Sequence, residues 1–95
     1  MRLRIRAKAR RDLDEILDYS FAEHGEEVAE GYLLTIGAAL DRLIDYPELG
    51  LARFDLKEGL RSLPAGEHRI YYRIEGDRVS VARVLHKAMD PARHF

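Results

Sequence analysis

The dipeptide Gly76–Asp77, set between two alternating runs, constrains this chain more than any other feature. Glycine followed by aspartate suits a two-residue hairpin turn, whose first position takes a backbone conformation that side chains disfavour. The flanking runs "HRIYYRIE" and "RVSVARVLH" alternate apolar and polar residues and read as strands. The turn then sets the register: Glu75 opposes Arg78, Ile74 opposes Val79, and Tyr72 opposes Val81. One face carries Ile70, Tyr72, Ile74, Val79, Val81 and Leu85, and is assigned to the core. The other carries Arg69, Tyr71, Arg73, Ser80, Ala82, Val84 and His86, a half-polar surface that looks unfinished. Strict alternation puts Arg83 on the apolar face. Either a bulge flips it, or it lies beyond the helices' cover and meets an acid.

Upstream the period changes. Leu13, Ile16, Leu17, Ser20 and Phe21 recur at three and four residues, which predicts a helix over 8–24 ending at Gly25. Val28, Tyr32, Leu33, Ile36, Leu40, Leu43 and Ile44 mark a second helix, with Glu26, Glu27 and Glu30 at the positive end of its dipole. Pro47 stops it, and the tight link "EHGEE" makes the pair a helical hairpin. Gly31 and Gly37 inside the second helix suggest close approach of another backbone. The leading "RLRIRA" alternates again, a half-buried strand with Leu3 and Ile5 on one side. Residues 46–59 read as a loop that packs down through its Leu, Phe and Tyr residues. Tyr19, Tyr32, Tyr46 and Phe54 are expected in core and hairpin packing. The expected fold class is α+β, in one domain over residues 1–95. An N-terminal strand and a two-helix antiparallel hairpin precede a three-stranded antiparallel meander, which forms one sheet with the first strand and ends in a short tail.

Charge is strongly segregated along the chain. Residues 1–11 hold six bases and no acid, residues 12–58 hold thirteen acids against three bases, and residues 59–95 hold seven bases against four acids. Two readings stay open: one acidic and one basic surface, with a charged partner for one of them, or opposite charges facing each other inside the fold. There is no cysteine, which excludes disulfides and thiolate metal sites. No apolar run approaches the roughly 18–20 residues of a membrane span, and no signal-peptide pattern opens the chain, so a cytoplasmic protein is expected.

The last stretch, "RVLHKAMDPARHF", concentrates the candidate chemistry. His86, Asp90 and His94 recur every fourth residue and on one helix would share a face, as metal ligands do. Pro91 biases Asp90 out of helical geometry, however, and an Asp–Pro pair suits the cap and first position of a short final turn. No metal site is assigned. Arg61, Arg69 and Arg73 are expected as a basic patch, with Tyr71, Ala82 and Val84 forming an apolar seam for a partner to cover. The glycines of "AEGYLLTIGAAL" have the wrong spacing for a phosphate loop, no serine has a visible His–acid arrangement, and no cofactor is expected.

"ARRDLDEILDY", "YPELG", "GLRSLPAGEHRIYYRI" and "VARVLHKAMDPARHF", in that order over essentially the whole chain, resemble the RelE/ParE superfamily of type II toxins, its ParE branch most of all. The resemblance implies a toxin neutralised by a ParD-like antitoxin, with operator DNA reached only indirectly through that antitoxin. ParE-type toxins are associated with inhibition of DNA gyrase; RelE-type relatives are ribosome-dependent endoribonucleases of messenger RNA. Arg69 matches one arginine of the ribonuclease branch. Ala88 and Met89 stand where that branch's basic pair would be, and Phe95 where its tail tyrosine would be. Neither a methionine nor a phenylalanine can hold a phosphate or move a proton, so the catalytic set looks incomplete. Were the chain a nuclease, Arg69, Arg83 and His86 would carry the chemistry. As antitoxin or target contacts the candidates are Arg61, Arg69, Tyr71, Arg73, Arg83, His86, Lys87 and Arg93. A relic that keeps its antitoxin but has lost its target is a third possibility.

Overall fold

In the computed structural model, which describes all 95 residues, a helical hairpin lies across one face of a five-stranded sheet. The chain runs β1 (Arg2–Ile5), α1 (Ala7–His24), α2 (Glu26–Asp45), β2 (Leu51–Ala52), β3 (Arg61–Ala65), β4 (His68–Glu75) and β5 (Arg78–His86), then a 3-10 turn at Pro91–Arg93. The strand order is β1-β5-β4-β3-β2, with β1 parallel to β5 and every other pair antiparallel. This is the expected α+β fold with one addition. Leu51 and Ala52, read as loop, pair with Ser62 and Arg61 as a short edge strand. Two residues are too few to show alternation.

The Gly76–Asp77 hairpin has the expected pairs, Glu75 with Arg78, Ile74 with Val79 and Tyr72 with Val81, and Gly76 takes a positive φ of 61°. Beyond Val81 the register slips: Tyr71 pairs with Arg83, and Ala82 is left over as a bulge. A slip of one residue exchanges the two faces of everything that follows. Val84, expected on the polar face, is therefore in the main core, while Leu85, expected in the core, joins Leu60 and Tyr71 on the opposite face.

The main core is built from Ile36, Ala39, Leu40 and Leu43 of α2 and Ala9 of α1 against Ile70, Tyr72, Val79 and Val81 of the sheet. The helices bury narrower stripes than their apolar pattern suggests. Phe21, Val28 and Leu33 are exposed, Ser20 is buried as its place in the stripe predicts, and Ala29 is buried outside the expected stripe. Small residues there let the hairpin close. Gly31 and Gly37 need no such closeness, because a Cβ added at either would meet nothing within 4 Å.

Two more expectations change. The seam around Tyr71 is already covered: Tyr71 is 2% exposed, and Phe95 of the tail packs on it with ring centroids 5.3 Å apart, beside Leu56. Of the loop after α2, Leu56 packs down as expected, but its first half is held through its backbone and not by its apolar side chains. The Tyr72 hydroxyl accepts from Gly50 N–H at 2.8 Å and donates to the Pro47 carbonyl at 2.7 Å, while Arg61 donates to the Gly50 carbonyl at 2.9 Å. With the loop pinned by those bonds, Tyr46, Leu49, Leu51 and Phe54 point into solvent. Tyr19, also expected in packing, is 67% exposed, and Tyr32 is half-buried.

Candidate functional site

The site begins where β5 outruns its neighbour. β1 pairs only with Arg78–Val81, so the outer edge of β5 is open from Ala82 onward. Open strand edges leave N–H groups that need acceptors. Asp12, in the second turn of α1, supplies one. Its carboxylate accepts from Val84 N–H at 2.9 Å and from Arg83 Nε and Nη2 at 2.8 and 2.9 Å. Arg83 thus has both a bulge beside it and an acid partner, and the Asp12 hydrogen bonds hold its pKa above the ordinary arginine value. Its Nη1 also lies 3.3 Å from His94 Nδ1, which ties the tail to this clasp.

Beside the clasp, the helical hairpin and the end of the sheet leave a groove of about 690 Å³. All four histidines of the protein, His24, His68, His86 and His94, line it. They come from α1, β4, β5 and the tail, and nothing in their sequence spacing brings them together. The helix side adds the exposed apolar surface of Tyr19 and Val28, and the tail adds Met89.

The centre of the groove is a hydrogen-bonded pair. Tyr32 Oη lies 2.5 Å from His68 Nδ1 and accepts from Glu67 N–H at 2.8 Å. Burial pushes the His68 pKa down, reinforced by the nearby His86 charge, and burial pushes the Tyr32 phenol up. The protonated phenol also donates to the Ala65 carbonyl at 3.4 Å. The His86 ring packs edge-on against His68 with centroids 5.2 Å apart, and its Nδ1 accepts from Ala88 N–H at 3.0 Å. Gly66 makes the arrangement possible: at φ +58° it turns β3 into β4, and a Cβ there would lie 2.7 Å from the Tyr32 ring.

The candidate residues divide among several places. Arg83 and His86 line the groove, and Lys87, at its rim, pairs with Glu67 at 2.6 Å and holds that carboxyl below its usual range. Arg93 is exposed in the final turn, 4.0 Å from Asp90. Asp90 caps that turn through Ala92 N–H at 3.1 Å, with Pro91 in the first position, as expected of an Asp–Pro pair. Arg69 and Arg73 lie on the sheet face turned away from the groove, Arg73 donating to the Glu58 carbonyl. Arg61 is separated from both: it pairs with Tyr72 on the helix-covered face, so the three do not form one patch. Arg69, Arg83 and His86 are likewise not brought together, since Arg69 projects from the opposite face of the sheet and Arg83 is clasped by Asp12. No group of three or more metal-ligating side chains is arranged to hold an ion.

Sequence reasoning missed Asp12, Tyr32 and His68 as site residues. Asp12 had a signal: it stands in register with Ile16 and Ser20 at four-residue steps, so a carboxylate pointed inward and needed a buried partner. His68 had none, because its neighbours Tyr32 and His86 are distant in sequence.

The family model described as ParE toxin of type II toxin–antitoxin system, parDE, matches residues 3–91. A Toxin ParE1 of Mycobacterium tuberculosis (strain H37Rv) is 38% identical over 88 residues, covering 92% of this chain and 90% of that protein. A Toxin ParE1 of Caulobacter vibrioides is 34% identical over 92 residues, covering 97% and 95%. Among solved structures, the chromosomal ParDE toxin–antitoxin system from P. aeruginosa superposes with a TM-score of 0.79 at 25% identity, covering 90% of this chain and 95% of the other. The RelBE2 toxin–antitoxin complex of Mycobacterium tuberculosis shares the fold at a TM-score of 0.56 and 24% identity, covering 90% and 96%.

Proposed function

This chain belongs to the ParE toxin family of type II toxin–antitoxin systems, and from that premise we propose that it acts by binding and inhibiting DNA gyrase in the cytoplasm, turning over no substrate of its own, until a ParD-like antitoxin neutralises it. The observation that carries the non-enzymatic reading is the dispersal of the nuclease candidates. A 2′-hydroxyl attack needs cations on the scissile phosphate and an acid–base group within hydrogen-bond reach of it. Here Arg69 and His86 project from opposite faces of the sheet, the Arg83 guanidinium is committed to Asp12, and Phe95 is spent covering Tyr71.

For the antitoxin, the histidine-lined groove is the fitting place. Exposed Tyr19, Val28 and Met89 offer apolar anchors, His86 offers a polar contact in the groove, and Lys87 and Arg93 add exposed charges on the tail that follows it. A segment that folds on docking would bury both together, which suits tight yet releasable inhibition. Arg69 and Arg73, on the far face, stay available for the target.

Purified protein in a gyrase supercoiling assay, paired with transcript analysis after expression without antitoxin, tests the reading. Blocked supercoiling with intact messenger RNA is the expected result. Unaffected gyrase with messenger RNA cut at ribosome-bound codons would replace it with the ribonuclease reading, and harmless expression with neither effect would leave a relic.

A further inference from the structure

Six arginines, Arg2, Arg4, Arg6, Arg69, Arg73 and Arg78, stand on the sheet face turned away from the helices. Their placement follows from register. Leu3, Ile5, Val79, Val81, Tyr72 and Ile74 pack toward the helices, so the residues alternating with them point out. Glu75 shares this face, with Asp77 at its turn, and the loop that packs Leu56 against Tyr71 brings Asp55 to its edge, already paired with Arg53 at 3.2 Å. The pairs Arg2–Asp77 at 3.9 Å and Arg6–Glu75 at 3.5 Å are solvent-exposed and weak. No ion pair reaches Arg4, Arg69 or Arg78, and Arg73 meets only a neutral carbonyl.

Strand-borne arginines from the two ends of the sequence therefore converge on one surface, while Lys8, Arg10 and Arg11 and most of the acidic residues lie on the helices behind it. Arg83–Asp12 is the one ion pair that joins the acidic stretch 12–58 to the basic segments. We propose that the arginine face binds the phosphate backbone of duplex DNA without reading its sequence, a contact separate from the groove and independent of which enzyme the toxin inhibits.

Three observations select that partner. Duplex DNA carries about one charge per 1.7 Å of axis, the density that a cluster of unpaired arginines complements. Arginine's planar fork fits phosphate, and the six cations carried by the strands are all arginine, with Lys57 of the neighbouring loop beside Arg6 and Arg73. The apolar residues beneath them are sealed: Leu60, Tyr71 and Leu85 are each at most 3% exposed, and Phe95 lies across Tyr71. The face thus has no row of exposed aromatic rings on which single-stranded bases could stack, and its hollow of about 150 Å³ between Arg6, Arg73 and Phe95 also contains Glu75, which disfavours an acidic peptide.

The test is fluorescence anisotropy of a labelled 20-base-pair duplex against the full chain at several salt concentrations. If at least the three unpaired arginines contact phosphates, affinity should fall about 40-fold between 50 and 200 mM salt, a log–log slope near −2.7. The double variant R4A/R78A should cut the slope by about 1.8 and weaken binding more than 10-fold at 50 mM salt. R69Q should shift the slope the same way by about half as much, which covers the case of a poorly folded double variant. R42A, on the outer surface of α2, should change nothing. The proposal is overturned by no duplex binding at 50 mM salt, or by a slope that both variants leave unchanged. It is equally overturned if single-stranded RNA or polyglutamate binds as tightly as the duplex.

Discussion

Asp12 gathers three hydrogen bonds from β5 on one side chain of α1. One carboxylate closes the open edge of β5, neutralises Arg83 and so anchors α1 to the sheet. Both side chains are largely buried, at 11% and 18% exposed, so breaking the pair strands a charge and an N–H together. Asp12→Ala is expected to cost about 3–5 kcal/mol in urea denaturation. Asp12→Asn keeps an acceptor for Val84 N–H and should cost less; equal losses would mean the charge alone matters. His68 makes a different kind of prediction. Its folded pKa is held below the ordinary value near 6.5 by burial and by His86, against the opposing pull of Glu67 and Asp12. The unfolded chain therefore takes up the proton first. The His68 contribution is fully present above about pH 6.5 and is lost as pH falls toward the folded value. Melting temperatures measured from pH 7 down to pH 5 should decline, and His68→Phe should flatten that part of the profile.

The elements differ in how tightly their sequence matches their surroundings. α2 carries two glycines, and neither meets a neighbour that would forbid a Cβ. Gly31→Ala and Gly37→Ala should each raise stability by about 0.5–1 kcal/mol, read as a shift in urea midpoint. Gly66→Ala should do the reverse, because it adds a Cβ at positive φ against the Tyr32 ring. The final turn is also structural. Removing the Phe95 ring uncovers Tyr71, and Phe95→Ala is expected to cost about 1–2 kcal/mol, measured in the same denaturation series. A tail that mattered only for partner contacts would leave stability unchanged.

Taken whole, the molecule has an acidic helical layer, an arginine-bearing sheet face, and an apolar, histidine-lined groove at one end between the two layers. Association with an antitoxin under this arrangement should be steered by charge. The association rate is expected to fall at least about tenfold from low to high salt, with a smaller change in dissociation, measured by stopped-flow mixing. A rate indifferent to salt would mean that apolar contacts alone guide docking.

Local rules determined the elements of this protein. The alternation around Gly76–Asp77, the three- and four-residue spacing from Leu13 to Leu43, and the Asp90–Pro91 cap each depend on neighbours close in sequence. They set the hairpin register, the helix bounds and the closing turn without reference to the rest of the chain. Tertiary structure decided what depends on distant partners. Alternation predicts one face for Val84 and another for Leu85, and a single bulged residue at Ala82 reverses them. Alternation likewise left Tyr71 exposed, and Phe95, twenty-four residues on, covers it. The site lies almost wholly in this second category. Asp12 meets Arg83 across seventy-one positions, and Tyr32 meets His68 across thirty-six. Contacts like these follow from the packing of helix on sheet, a result of the whole chain's burial that no local pattern carries.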